Sequence, residues 1–319
     1  NTQGLQVITS KAVMITSGSY ERTQGAILLP GKRLKGITTA GNAQRYLNYD
    51  GYLVGKDIFI LGSGDIGLIM VRRLSLEGAK VHGVAEIMPH PNGLTRNIVQ
   101  CLHDYDIPLY LSHTVTDVSG KTAVESITIS EVDAQFNPIK GTEKTFYVDT
   151  LLLSVGLRPD IKMVEHLALQ VNKKTSSASV TQNYQSSVEG LFFAGNALHI
   201  HDLVDYVAEE AMIATTHCID YIQNKFNKPY VIKPIIAQKG IHYTIPDSID
   251  YGNLTKNFEL YFRTNQKAIQ VKFIIKQHNH IIKTFTKHYV QPAEMNKITI
   301  EYTKLIKDEP LTIEMEVIK

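Results

Sequence analysis

Apolar residues fall in blocks whose spacing names the elements. Asp57-Ile-Phe-Ile-Leu61 is a short apolar run, the pattern of a buried strand. It passes directly into Gly62-Ser-Gly64-Asp-Ile-Gly67. Apolar side chains then recur at Ile66, Ile69, Met70 and Leu74, a helical spacing, and Gly78 is placed to close that helix as a C-cap. Lys80-Val-His-Gly-Val-Ala-Glu86 predicts a second strand that ends in an acid. Upstream, residues 12–16 predict a strand, followed by a Gly-rich irregular stretch to about Asn42. Downstream, residues 190–194 predict another strand and residues 202–224 a long helix.

Beyond residue 230 the helical pattern fades. Strand-like runs take over at 258–263, 268–276, 281–288, 297–302 and 311–318. Their spacing, roughly 10–14 residues, predicts an antiparallel sandwich of the immunoglobulin kind. Four stretches are thus separable: 1–49, 50–156, 157–229 and 230–319. The expected class is α/β with an all-β C-terminal part.

Composition narrows the function. Of 319 residues, 43% are hydrophobic, enough for a sizeable core. With 33 basic and 31 acidic residues the formal charge is +2, which gives no reason to expect nucleic acid or an anionic membrane as partner. No apolar run reaches membrane-spanning length. The two cysteines, Cys101 and Cys218, form no Cys-x-x-Cys, so neither a disulfide scaffold nor a thiolate zinc site is expected; a cytoplasmic location fits. The first residue is Asn1, and a strand follows almost at once, as in a fragment.

The 57–86 block has a mechanical reading as a dinucleotide site. Gly62 permits a tight turn out of the strand. Gly64 lets the backbone approach a pyrophosphate, and Gly67 lets helix and strand pack closely. Ser63, Asp65 and Ile66 complete the turn, whose helix N-terminus offers N–H groups and a positive dipole end to phosphates. Glu86 lies where a carboxylate accepts hydrogen bonds from the adenosine ribose and repels a 2′-phosphate, which selects NAD over NADP. Two other readings stay open: a tight strand–helix turn without a ligand, and a site for the ADP part of FAD.

Three further stretches form an ordered set with this block: Ala12-Val-Met-Ile-Thr16-Ser-Gly18, Thr150-Leu-Leu-Leu-Ser154-Val-Gly156-Leu-Arg-Pro159 and Gly190-Leu-Phe-Phe-Ala-Gly195-Asn196. The set resembles the flavoproteins with two dinucleotide-binding domains, the pyridine nucleotide-disulfide oxidoreductase superfamily, in its thioredoxin-reductase-like branch. The resemblance covers residues 1 to about 225. It implies a Rossmann-like NAD-binding domain, 50–156, inserted in a partial FAD-binding domain made of 1–49 and 157–229. It implies FAD contacts from Thr16 and Gly18, from Gly195 and Asn196, and from a helix start at Asp202, Leu203 and Val204; one carboxylate there would cap the helix. Ser154, Val155 and Gly156 end the last strand of the nucleotide domain. The family's first Gly-x-Gly-x-x-Gly, for the ADP half of FAD, is missing before Thr16, which again reads as a truncated N-terminus.

Departures from the family pattern bear on chemistry. The stretch before the nucleotide strand, Ala43 to Asp50, has no thiol. Ile69 stands where disulfide reductases often carry Glu. No His–Glu pair for thiol chemistry is apparent, although His199 and His201 are present. Dithiol exchange needs a thiolate, so it is excluded and NAD(H)–flavin electron traffic remains. The segments around Gly64, Glu86-Ile-Met-Pro and Leu198-His-Ile-His-Asp-Leu-Val-Asp look like thiol-free subunits that accompany glycerol-3-phosphate, proline, opine or glycine dehydrogenases.

The expectation is therefore a FAD- and NAD-dependent oxidoreductase serving a small-molecule substrate or a partner dehydrogenase subunit, as a homo- or hetero-oligomer. The rival is a non-catalytic NAD-binding and subunit-docking module. No catalytic residue and no metal ligand is assigned. His199 and His201 read as a solvent-facing loop or a wall beside the flavin. His90 and Arg96 read as adenine-pocket or phosphate contacts, or as a solvated loop and helix start. The β-rich tail reads as a docking module.

Overall fold

The computed structural model describes residues 4–318. The chain forms two compact units, a split one (Asn1–Tyr20 with Arg158–Lys319) and a continuous one (Glu21–Leu157).

The split unit opens with strand β1 (Val13–Ile15). The continuous unit then runs β2 (Ile37–Thr39), α1 (Ala40–Arg45), β3 (Asp57–Leu61), α2 (Asp65–Leu76), β4 (Lys80–Glu86), α3 (Thr95–Cys101) and β5 (Leu109–Leu111). An antiparallel meander follows, β6 (His113–Ser119), β7 (Ser126–Glu131) and β8 (Lys144–Tyr147), and β9 (Thr150–Leu153) closes the unit. Five strands form one parallel sheet in the order β2-β9-β3-β4-β5. Its central strands are covered on both faces, which is why Ile58, Phe59, Ile60, Leu151 and Leu152 are all fully buried.

Helix α2 buries Leu68, Met70, Val71 and Leu74, each contributing about 1.5–3 kcal/mol. The apolar stripe is therefore rotated from the expected one. Ile69 is exposed and Ile66 only half-buried. The helix ends as expected at Gly78 (φ +88°). Ala79 N donates to Leu74 O and Gly78 N to Ser75 O, the paired bonds of a Schellman cap.

The boundary between units falls at Tyr20, not at residue 49. The reason is strand pairing: β2 lies in parallel register against β9, and Ala40 and Ala43 of α1 enter the core under β3.

The split unit resumes with β10 (Leu191–Phe193), parallel to β1 with Val13 opposite Leu191, and α4 (Val204–Ile222). Then come β11 (Ile232–Ala237), β12 (Ile241–Ile245), β13 (Ser248–Asp250), β14 (Phe258–Thr264), β15 (Ala268–Gln277), β16 (His280–Val290), β17 (Asn296–Ile300) and β18 (Leu311–Val317). They form a sheet of order β13-β11-β18-β15-β16 and a second of order β12-β14-β17. One core joins the two sheets, with Leu260 and Phe262 meeting Val271, Phe273, Leu311 and Ile313. The pairing is antiparallel except between β11 and β18, which run parallel.

The smaller sheet is apolar on both faces. Alternation along β14 sends Leu260 and Phe262 to one side and Tyr261 to the other. There Tyr261, Tyr243 and Ile245 join Ile15, Phe193, Leu198 and Ala214 in a second core. Residues 230–319 therefore share a core with the strand pair and α4. Among the described residues no helix is long and apolar enough to cross a membrane.

Candidate functional site

The 62–67 turn is held by three neighbours. Gly62 leaves β3 at φ +94°, and a Cβ there would lie 2.2 Å from Ser154 O. A Cβ on Gly67 would lie 2.5 Å from the Cβ of Ser154. Ser154, at the end of β9, donates its N–H to Leu61 O (2.7 Å), and its Oγ accepts from Gly67 N (3.1 Å). Glycine at 67 is thus required by the approach of Ser154, and Val155 and Gly156 continue from that contact.

Glu86 is the second neighbour. It is 2% exposed. Its Oε2 accepts from Ser63 N (3.0 Å) and Ser63 Oγ (2.6 Å), and its Oε1 accepts from Met88 N (3.0 Å). A carboxylate has about four acceptor sites, so the chain uses three and one on Oε1 remains. The third neighbour is the loop after β4. Ser63 Oγ accepts from Asn92 N (2.9 Å), while Asp65 Oδ1 accepts from Leu94 N (2.8 Å) and Asn97 Nδ2 (2.6 Å). Asp65 thereby spends its charge on that loop. Gly64 is the N-cap of α2 without a side-chain cap, so the first-turn N–H groups of Asp65 and Ile66 face outward from the helix end, the arrangement that receives phosphates. His90 is half-buried against Pro91 O, and Arg96 is exposed in α3.

In the split unit, β1 and β10 carry two predicted segments side by side. Ala194 N donates to Ile15 O (3.2 Å), so Thr16, Ser17 and Gly18 lie alongside Gly195 and Asn196. Ser17 Oγ donates to Asp160 O (2.5 Å). Helix α4 begins at Val204, not at residue 202, with Leu203 as an N-cap that makes no side-chain bond. Asp202 does not cap the helix. It accepts from Arg263 Nη2 and from Met295 N (2.6 Å), because Arg263 reaches it from β14.

His199 and His201 are not in a solvent-facing loop. Their side chains are 0% and 1% exposed, and Glu210 from α4, also 0%, lies between them. His199 Nε2 is 2.8 Å from Glu210 Oε2, and Gly195 N donates to Glu210 Oε1 (2.6 Å). Burial works against the Glu210 carboxylate, yet the imidazoles facing it hold its pKa down at about 2. Burial pushes the His199 imidazole down more than Glu210 lifts it. A buried His–Glu pair is thus present here, closed from solvent. Glu210 was the residue missed. Its signal was an acid at the 3.6-residue spacing of Ala214 and His217, on the buried stripe of α4.

A parallel sheet whose strand–helix turn is built on three glycines, with a buried acid closing the next strand, defines a Rossmann-type dinucleotide-binding protein. The chain belongs to the pyridine nucleotide-disulphide oxidoreductase family, whose model matches residues 1–217. Curated relatives include sarcosine oxidase subunit alpha of Corynebacterium sp. (24% identical; 60% of this chain, 20% of the relative). Another is dihydrolipoyl dehydrogenase of Acholeplasma laidlawii (25%; 69% of this chain, 61% of the relative). Among solved structures, T. acidophilum thioredoxin reductase superposes with a TM-score of 0.55 at 20% identity, covering 68% of this chain and 66% of that one. The chain thus spans from a fifth to about two thirds of the length of these proteins.

The family implies FAD and a pyridine nucleotide. The 62–67 turn fits the nucleotide, having donors at a helix start and no side chain in the way. At the start of α4 no side chain caps the helix, so its first-turn N–H groups are open to a polar or anionic group. The polar groups of Asp202 and the Asn196 carbonyl are spent inside the protein.

Proposed function

We propose that this chain handles NAD(H) and flavin in a FAD-dependent oxidoreductase that uses no redox disulfide, as a subunit beside a second dehydrogenase. The observation that carries the reading is the 62–67 turn clamped between Ser154 and Glu86. Bound together, the nicotinamide and flavin would supply hydride transfer between them. The chain's residues bind and orient: the α2 start takes the pyrophosphate, and Glu86, rigidly held by Ser63, presents its remaining lone pair to the adenosine ribose. A 2′-phosphate would bring negative charge against a buried carboxylate, so NADH is preferred. The thiols Cys101 and Cys218 are free and each is pushed up by burial, which supports a reading without dithiol chemistry. They also suit a cytoplasmic location. The two-sheet tail is read as an immunoglobulin-like docking module.

Isothermal titration with NADH and NADPH tests the reading. NADH is expected to bind at least about tenfold tighter, and Glu86→Arg to erase or reverse the ratio. Tighter NADPH binding by the unaltered chain would overturn the role of Glu86. The rival reading is a non-catalytic NAD-binding and docking module. A colourless preparation that binds NADH supports the rival; flavin absorption bands support the oxidoreductase.

A further inference from the structure

Three metal-ligating side chains meet in the split unit outside the nucleotide turn. Donor atoms of His199, His201 and Glu210 all lie within 4.8 Å of one another. The side chains are at most 1% exposed, and the two imidazole rings are 4.1 Å apart at their centres.

The hydrogen bonds around them leave a specific vacancy of partners. Asn196 Oδ1 accepts from the His201 backbone N–H (3.1 Å), which identifies that atom as the oxygen, and it also faces His201 Nδ1 (3.3 Å). His201 Nδ1 therefore donates to that oxygen, which leaves Nε2 as the ring nitrogen turned toward Glu210. Nε2 sits 3.4 Å from Glu210 Oε2 and makes no aligned hydrogen bond. His199 Nδ1 is likewise buried and unpartnered. The Nε2–carboxylate pair is satisfied by a cation lying between the two atoms. A proton on Nε2 is one such cation, and a metal ion is the other.

The spacing suits the metal. Ligands about 2.0–2.1 Å from a tetrahedral zinc stand roughly 3.4 Å apart. His201 Nε2 and Glu210 Oε2 already do. His199 Nε2, now 2.8 Å from the same oxygen, needs to open slightly and pass its proton to its unpartnered Nδ1. The surroundings resemble an outer ligand shell, with Asn196 orienting His201 and Gly195 N fixing the far oxygen of Glu210.

We propose that His199, His201 and Glu210 form a buried binding site for one divalent transition-metal ion of the zinc type. The inference stands apart from the nucleotide reading, since it uses none of the 62–86 residues.

The test uses the full chain, stripped with a chelator and titrated with Co2+ as a spectroscopic probe and with Zn2+ in competition. One equivalent of Co2+ is expected to give the visible absorption of a low-coordinate site, and Zn2+ is expected to displace it. His201→Gln should weaken uptake by about 100-fold, and Asn196→Ala, which removes only the orienting oxygen, by about tenfold. Circular dichroism establishes that each variant is folded; if Glu210→Gln does not fold, His201→Gln carries the test. Failure of the unaltered chain to take up one equivalent, or equal uptake by folded His201→Gln, overturns the proposal and assigns the cluster to a proton-bridged pair.

Discussion

At the scale of single residues, the tightest constraint is Gly67 against Ser154. Gly67→Ala brings a methyl group into the 2.5 Å gap. The expected cost is about 1–3 kcal/mol in urea unfolding, with loss of NADH affinity, because the turn must shift. Ser154→Gly in the same chain removes the opposing Cβ and should recover much of the stability. If the double variant is no better than Gly67→Ala, the contact is not what fixes glycine there. His217 supplies a pH dependence. It is 8% exposed, and burial first, then Lys256, depress its pKa from 6.5 to about 4. The unfolded chain then binds the extra proton between those values, so stability falls as pH drops through that window. The full effect is on the order of 3 kcal/mol, from 1.36 kcal/mol per unit. His199, also pushed down by burial, adds in the same direction. Unfolding free energies at pH 7 and pH 4 should therefore converge in His217→Gln relative to the unaltered chain.

At the scale of elements, the cap of α2 isolates one backbone effect. Gly78 has open space around it but a φ of +88°. Gly78→Ala should cost about 1 kcal/mol through strain alone, measurable as an unchanged urea slope with a lower midpoint. The 57–86 unit was legible because every local signal agreed: apolar run, glycine turn, helical period, C-cap and terminal acid. The same reasoning missed β11, β12 and β13, whose sequence is broken by Pro234 and Pro246, and the pairing of β11 with β18 joins Ile235 to the distant Leu311. It also misplaced residues 21–49, since nothing local says that Ile37 to Thr39 will pair with residues 151–153. The role of Asp202 was hidden for the same reason: Arg263 is 61 positions away. Pattern reading sees neighbours in sequence; these contacts are settled by tertiary packing.

At the scale of the whole molecule, the split unit depends on its tail. Arg263 is bonded to Asp202, Ile200 O, Ala293 O and the Tyr243 hydroxyl. Arg263→Leu leaves Asp202 charged and largely buried, a change that typically costs about 3–5 kcal/mol. Amide hydrogen exchange should quicken at residues 196–203 as a result. Ending the chain at residue 229 would strip Tyr243, Ile245 and Tyr261 from the core around Phe193 and Leu198. Such a piece is expected to aggregate, whereas Glu21–Leu157 expressed alone should remain folded and bind NADH.

The pairing of Val13 with Leu191 sets an order of events during synthesis. Strand β1 leaves the ribosome long before its partner exists. The continuous unit, by contrast, has all its strands available once Leu153 has emerged, and its nucleotide turn can close at that time. Strand β1 must therefore wait for that partner while the middle of the chain folds. Slowing translation just before residue 191 would prolong that exposed interval, and a chaperone that shields short apolar strands should matter most there.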